Sequence, residues 1–167
     1  GSNQSLQAFA LCFTPGTQIS LFNGSTKNIE DVVKGESIIT YNELDNKNEE
    51  GIVGDVSSHE AESIIIITFN DGNIINTTEE HPFYVKEKGW VKASKIEVND
   101  ICQDIKGDDI IVSSITTEIK LTTVYYLSSV SNNHNYYANG ILVHNKSSAP
   151  VVYTYAQSPV YGGDSLP

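Results

Sequence analysis

Residues 63–76 read SIIIITFNDGNIIN, and this stretch decides the fold class. Four consecutive isoleucines followed by Thr68 and Phe69 favour a buried strand, because β-branched and aromatic side chains pack well on a pleated surface. The Asp71-Gly72 dipeptide is a tight-turn signal, and a second apolar run follows it at once. The stretch therefore predicts a β-hairpin rather than a helix.

The same pattern of short apolar runs separated by turn dipeptides extends in both directions from this hairpin. Helix signals are weak, with about one turn each at Ile29–Val33 and Ala93–Ile96. The acidic, Asn-rich stretch Glu43–Glu50 is typical of an exposed loop. Many short strands with frequent turns predict an all-β domain with little helix. The predicted strands are Thr17–Leu21, Ser37–Tyr41, Ser63–Phe69, Asn73–Asn76, Phe83–Val85, Ile110–Ile119, Thr123–Val130, Tyr136–Ala138 and Ile141–Val143.

Composition excludes several classes of function. The chain has 167 residues, enough for one domain with its own core. Its net charge is −11 and its 10 Lys and Arg residues are scattered, whereas a nucleic-acid surface needs clustered cations. No apolar run approaches the ~20 residues that span a bilayer. The cysteines and histidines lack the Cys-x-x-Cys or His-x-x-x-His spacing of a zinc site. We therefore expect no nucleic acid, no membrane, no metal and no other cofactor.

The two ends of the chain differ from the middle. Residues 1–11 are polar and lack turn signals, and residues 146–167 hold three of the five prolines with no alternating pattern. Both segments are predicted to be poorly ordered flanks of a domain that runs from residue 12 to residue 145. The Tyr- and Pro-containing tails favour a secreted or cell-surface host protein, but the sequence leaves the location open.

Four segments carry the residues suited to chemistry: Cys12–Thr17, Asn76–Phe83, Val124–Gly140 and Ile141–Asn145. Their order, and the final His-Asn pair, resemble the Hint family, which contains inteins, the hedgehog autoprocessing domain and bacterial intein-like domains. The stretch 89–100 is also similar to the segment that follows the second motif in that family. The resemblance implies a compact, pseudo-two-fold horseshoe of short strands that processes its own polypeptide.

Cys12 is suited to the N-terminal step. A thiol is the best side-chain nucleophile at neutral pH, and the backbone of Cys12 places its sulfur beside the Leu11 carbonyl carbon. Attack would give a thioester at Leu11 by an N-to-S acyl shift. The resemblance to the Thr-x-x-His pattern implies that Thr78 holds the scissile region. It also implies that His81 bonds to the Cys12 amide nitrogen and protonates it.

Asn145 is suited to the C-terminal step, since its side-chain amide can reach its own carbonyl carbon. Closure of the succinimide would free the amino group of Lys146. An amide nitrogen is a poor nucleophile, so His144 and His134 are the candidate acid–base pair. Asn139-Gly140 predicts the tight turn that folds the last strand back and brings Asn145 towards the start of the domain.

Two positions depart from the family pattern. Inteins that splice by the common route place Cys, Ser or Thr after the terminal Asn, whereas Lys146 stands here. This resembles type A bacterial intein-like domains, so cleavage at both ends is expected to dominate, with splicing as a minor outcome if the Lys146 amine attacks the thioester. Tyr126 stands where family members commonly have Asp. Tyr is bulkier and uncharged, so N-terminal activation is expected to be slower or differently assisted.

Other interpretations of these residues remain open. The domain could release only the protein that precedes it, which would make Asn145 dispensable. It could also be a catalytically silent fold used as a binding module, in which case Cys12 and Asn145 could both be replaced. Cys102 is interpreted as a small buried hydrophobe and His59 as a surface residue. A hydrolase acting in trans is disfavoured, because the nucleophile is tethered to its own bond. We expect a monomer whose partners are its own flanking polypeptides.

Overall fold

The computed structural model describes residues 11–145, and the regular secondary structure of this part of the chain is nearly all strand. The all-β prediction is confirmed. Within these residues the helical elements are two single 3-10 turns at Ile29–Asp31 and Ala93–Lys95, where the sequence predicted about one turn each. None of the helical segments in residues 11–145 is long and apolar enough to cross a membrane. The strands are β1 (Gln18–Ser20), β2 (Thr26–Asn28), β3 (Ser37–Asn42), β4 (Lys47–Ile52), β5 (Asp55–Phe69), β6 (Ile74–Thr77), β7 (Pro82–Val85), β8 (Gly89–Lys92), β9 (Ile101–Gln103), β10 (Asp109–Ser128), β11 (Asn135–Ala138) and β12 (Ile141–His144).

A long two-stranded arm, formed by β5 and β10, is the main difference from the predicted short strands. The predicted strands Ile110–Ile119 and Thr123–Val130 are one continuous strand, because the pairing with β5 continues through a register shift between Ile119 and Thr122. A β-bulge inserts extra residues without ending the ladder, so a break in apolar patterning does not end the strand. The 63–76 hairpin is present, with β5 paired to β6.

The prediction of a loop at Glu43–Glu50 is wrong in its second half. Residues from Lys47 onward form β4, which pairs with β3 along its whole length in a separate two-stranded sheet. Most β4 side chains face solvent, so the strand has the polar composition of a loop. The cross-strand backbone hydrogen bonds, rather than apolar burial, define it.

The other ten strands form one sheet in which β11 and β12 are central. The order is β2-β1-β11-β12-β7-β9-β10-β5-β6, with β8 paired to β7. Every residue of β11 is buried, as are the first three of β12. Asn139 and Gly140 both have positive φ, which suits the tight turn predicted between these strands. This turn directs the chain end into the core.

The connection from β4 to β5 provides a test of the packing. A methyl group on Gly54 would lie 2.6 Å from the Ser129 side chain and 2.9 Å from the Ser129 carbonyl oxygen. Because backbone cannot move aside cheaply, Gly54→Ala is expected to lower the free energy of unfolding by about 1–3 kcal/mol. Urea denaturation would measure it, with Ser57→Ala at an exposed position as the control. Equal midpoints for the two variants would contradict this packing.

Candidate active site

The start of the domain is inserted between two strands. Phe13 donates its backbone N–H to the Tyr125 carbonyl at 2.9 Å, and Tyr125 donates back to the Phe13 carbonyl at 2.8 Å. On the other side, Phe13 forms a bridge with Thr77, the last residue of β6. The Thr78 amide donates to the Cys12 carbonyl at 3.0 Å. The Cys12–Phe13 segment is thus held by backbone hydrogen bonds from β10 on one side and from Thr78, the residue after β6, on the other.

The peptide bond between Leu11 and Cys12 is held by a hydroxyl. The Cys12 N–H donates to Thr78 Oγ1 at 3.0 Å, and both Leu11 and Cys12 are buried. The family resemblance implied that His81 bonds to the Cys12 amide nitrogen and that Thr78 holds the region around this bond. In the structure the Cys12 N–H donates to Thr78, while His81 Nε2 contacts the His144 carbonyl and the ring also interacts with the Cys12 backbone. The Cys12 thiol packs with Ile64 and Val124, and burial raises its pKa to about 12.

His81 lies between the two ends of the domain. Its ring is 4.1 Å from that of Phe13, centroid to centroid, and its Nε2 lies 3.0 Å from the His144 carbonyl oxygen. A carbonyl can only accept, so we assign the proton to Nε2 and the lone pair to Nδ1. Nδ1 is buried without a hydrogen-bond partner among residues 11–145. Burial lowers the pKa of His81 to about 3, and the backbones of His144 and Cys12 oppose this shift. The ring is therefore neutral near pH 7.

Asn145 is anchored through its backbone and its side chain. Its N–H donates to the His134 carbonyl at 2.9 Å, and its Nδ2 donates to the Leu127 carbonyl at 3.0 Å. The residue is 2% exposed, and its Oδ1 has no hydrogen-bond partner among the described residues. The side-chain amide is consequently held in one orientation at the end of β12.

The two candidate histidines of the C-terminal step occupy different environments. The His144 ring is half-buried and packs edge-on against Trp90, with centroids 4.7 Å apart. The side chain of His134 is exposed, and its backbone has a positive φ of 56°. The contact of His134 with Asn145 is made by its carbonyl. A role for either imidazole in proton transfer stays a prediction, and Lys146 lies outside the described residues.

Strand β10 brings the two ends together. Tyr125 binds the segment that follows Cys12, and Leu127, two residues further along the same strand, binds the Asn145 side chain. Two residues of a strand span about 7 Å. His81 joins the same ends from the other side, through Phe13 and the His144 carbonyl. Residues at positions 12, 78, 81 and 145 thus share one buried region.

Sequence reasoning did not identify several residues of this region. Leu127 acts through a backbone carbonyl, which no side-chain pattern reveals, and Trp90 was quoted in a supporting stretch without a role. Tyr126, which the sequence singled out only as a departure from the family pattern, packs against the Cys12 cluster, and burial, then the charge of Cys12, raises its pKa. Tyr136 is buried beside Phe13 and His81. The sequence placed Tyr136 in a predicted strand and assigned no role to its hydroxyl.

The remaining titratable candidates give no metal site in the described part of the chain. Among residues 11–145, no three His, Cys, Asp or Glu side chains converge in a geometry that could hold an ion. Cys102 is buried and free, and it packs in the apolar core as predicted.

Solved structures of other proteins share this fold. A solution structure of a bacterial intein-like domain from Clostridium thermocellum is 33% identical with a TM-score of 0.75, and the match covers 80% of this chain and 98% of that one. A DnaB intein from Synechocystis sp. PCC 6803 has a TM-score of 0.73 at 24% identity, over 82% of this chain and 99% of that one. At that identity the second match shows the fold alone. The fold is that of Hint and intein domains.

The family follows from a sequence comparison. The model of the pretoxin HINT domain matches residues 21–146, which is most of the chain. The chain belongs to this family of Hint domains, whose fold suggests autoprocessing in general and action within the host polypeptide.

Curated relatives align over a smaller share. HMG box-containing protein 1 from Bos taurus is 29% identical over 121 residues, covering 54% of this chain and 24% of that protein. The protein of that name from Pongo abelii is 33% identical over 96 residues, covering 47% of this chain and 19% of that protein. The chain spans a quarter or less of the length of these relatives.

The buried neutral His81 predicts a pH dependence of stability. Its folded pKa of about 3 lies below its ordinary value of 6.5, so the unfolded chain binds the proton first. The stabilising contribution is complete above about pH 6.5 and is lost as the pH falls towards about 3. Between about pH 7.5 and pH 5 the loss should be on the order of 2 kcal/mol.

Replacing His81 by Gln should remove this part of the pH dependence. Urea unfolding at both pH values would measure it, in a chain that also carries Cys12→Ala and Asn145→Ala so that it stays intact. His59→Gln, at an exposed position, is the matched control and should keep the full dependence. The same loss of stability in all three proteins would show that His81 is not a buried neutral base.

Proposed function

We propose that this domain cleaves its own chain once at each end, at Leu11–Cys12 and at Asn145–Lys146. The observation that carries the proposal is the double attachment of β10, whose Tyr125 binds the start of the domain and whose Leu127 binds the Asn145 side chain. A silent binding fold would have no need to bury both junction residues in one region. The substrate is then the flanking polypeptide, residues 1–11 and 146–167, around a processing unit formed by residues 12–145.

The N-terminal step is an isomerisation that needs no co-reactant. Cys12 Sγ attacks the Leu11 carbonyl carbon, the carbon–nitrogen bond breaks, and the thiol proton ends on the freed amine. With a thiol pKa of about 12, the sulfur needs a base at the moment of attack, and the candidate is neutral His81, which is buried and interacts with the Cys12 backbone. Thr78 fixes the leaving nitrogen through its hydroxyl. Water then hydrolyses the thioester and regenerates the thiol.

The C-terminal step is a cyclisation of Asn145. Its Nδ2 attacks its own carbonyl carbon and loses a proton, the bond to Lys146 breaks, and a proton is transferred to the Lys146 nitrogen. The hydrogen bond from Nδ2 to the Leu127 carbonyl supports this role, because it polarises an N–H bond of a weak nucleophile and fixes the orientation of the amide. His144 and His134 would supply and accept the protons. The products are a succinimide and a free amine.

The residue after Asn145 decides between cleavage and splicing. Lys146 has no hydroxyl or thiol to accept the Leu11 acyl group, so hydrolysis of the thioester should dominate. A minor spliced product would form where the freed Lys146 amine reaches the thioester before water does. Neither a nucleic acid nor a second copy of the chain enters this scheme, and the net charge of −11 supports leaving nucleic acid out.

The test is to place the full chain between two marker proteins and to follow intact masses. We expect an N-terminal fragment ending at Leu11 and a C-terminal fragment beginning at Lys146. Cys12→Ala should abolish the first fragment and Asn145→Ala the second, because each removes one nucleophile. Cys102→Ala removes the other buried thiol and is the matched control, with both fragments still expected.

Each alternative function has its own result in this experiment. N-terminal release that is accompanied by no C-terminal fragment would identify a domain that frees only the preceding protein. A fusion that stays intact after long incubation with added thiol would refute self-processing and leave a binding module. A product in which the two marker proteins are joined would show that the domain also splices.

A further inference from the structure

Two adjacent tyrosines of β11 differ in how their hydroxyl groups are used. Tyr137 donates its hydroxyl to Asn48 Oδ1 on strand β4. The hydroxyl of Tyr136 is buried and has no hydrogen-bond partner among residues 11–145. A buried hydroxyl without a partner costs about 1–3 kcal/mol, so a phenylalanine would be the more stable choice in a purely structural core. The polar group at Tyr136 therefore calls for a chemical explanation.

The ring of Tyr136 packs against the residues that surround Cys12. Its centroid is 6.3 Å from Phe13, the residue after the nucleophile, and 6.4 Å from His81, with the rings edge to face in both cases. Burial raises the pKa of Tyr136 well above its ordinary value, and negative charge on Cys12 raises it further. The phenol consequently keeps its proton, and it lies within electrostatic reach of the reacting thiol.

We propose that the Tyr136 hydroxyl donates a hydrogen bond to the negative charge that develops at the Leu11–Cys12 centre during the acyl shift. This inference rests on the proposed N-terminal step and names a further residue for it. As the sulfur–carbon bond forms, an electron pair moves onto the Leu11 oxygen, and it returns when the carbon–nitrogen bond breaks. Tyr136 keeps its proton throughout and is not consumed.

The Tyr136 hydroxyl gains a hydrogen-bond acceptor only in the transition state, when negative charge develops. An interaction that is absent in the ground state lowers the activation barrier directly, whereas one present in both states does not. A dry site makes such a donor effective, because no water competes for the developing charge. Tyr126 is a weaker candidate, since it is partly exposed and its ring faces His59.

The experiment compares Tyr136→Phe with Tyr137→Phe in the full chain between two marker proteins. The rate at which the Leu11-ending fragment forms is measured with added dithiothreitol. The rate at which the fragment beginning at Lys146 forms is measured in parallel. Tm is measured on chains that also carry Cys12→Ala and Asn145→Ala. For Tyr136→Phe we expect N-terminal cleavage to slow roughly 10²–10³-fold, the magnitude typical of losing one such donor. C-terminal cleavage and Tm should stay at the parent value, or Tm should rise.

Tyr137→Phe removes a hydroxyl that is already bonded, so it should lower Tm and leave N-terminal cleavage near the parent rate. Parent-like N-terminal cleavage by Tyr136→Phe would overturn the inference and leave the proposed function standing. An equal slowing at both ends, together with a lower Tm, would also overturn it and assign Tyr136 to packing. Absence of any Leu11-ending fragment from the parent fusion would overturn both the proposed function and this inference.

Discussion

The structure depends on a short length of β10 that binds both ends of the domain. Tyr125 exchanges two backbone hydrogen bonds with Phe13, and the carbonyl of Leu127 accepts the side-chain amide of Asn145. Backbone ladders fix these distances more firmly than side chains could, because a strand rises by a set amount per residue. The ladder with β5 is continuous through both residues, since Tyr125 pairs with Ser58 and Leu127 with Val56. The rest of the sheet positions the segments that contain Phe13 and Asn145 against this strand.

Burial of Leu11, Cys12 and Asn145 would make the proposed chemistry both difficult and selective. It raises the pKa of Cys12 to about 12, so the thiol is almost fully protonated at rest, and it lowers that of His81 to about 3, so the imidazole is a neutral base. Charge that forms in such a site is poorly stabilised unless hydrogen-bond donors are already positioned to interact with it. Thr78, His81 and Tyr136 are the groups placed around Cys12. One contact of His81, from Nε2 to the His144 carbonyl, also ties the N-terminal centre to the last strand.

Patterning and motif order predicted the fold class and named candidate reactive residues, and they missed what depends on backbone pairing. The run of isoleucines at 64–67 predicted the hairpin because apolar side chains there are buried. Strand β4 was interpreted as a loop because its side chains face water and its pairing leaves no mark on composition. The hydrogen bond from the Asn145 side chain to the Leu127 carbonyl could not be predicted either, because a backbone acceptor leaves no mark on composition. Tyr136 was predicted only as part of a strand, because a buried hydroxyl without a partner can be recognised only when its neighbours are known.

The central claim is that the buried thiol of Cys12 takes the acyl group of Leu11. The most direct measurement is to incubate the full chain, fused to a protein at its N-terminus, with neutral hydroxylamine and to determine the mass of the released fragment. Hydroxylamine attacks thioesters far faster than amides, so the account predicts a hydroxamate on Leu11 that disappears with Cys12→Ala. A fragment that ends in a free carboxylic acid under all hydroxylamine concentrations, or the same hydroxamate from Cys12→Ala, would contradict the thioester.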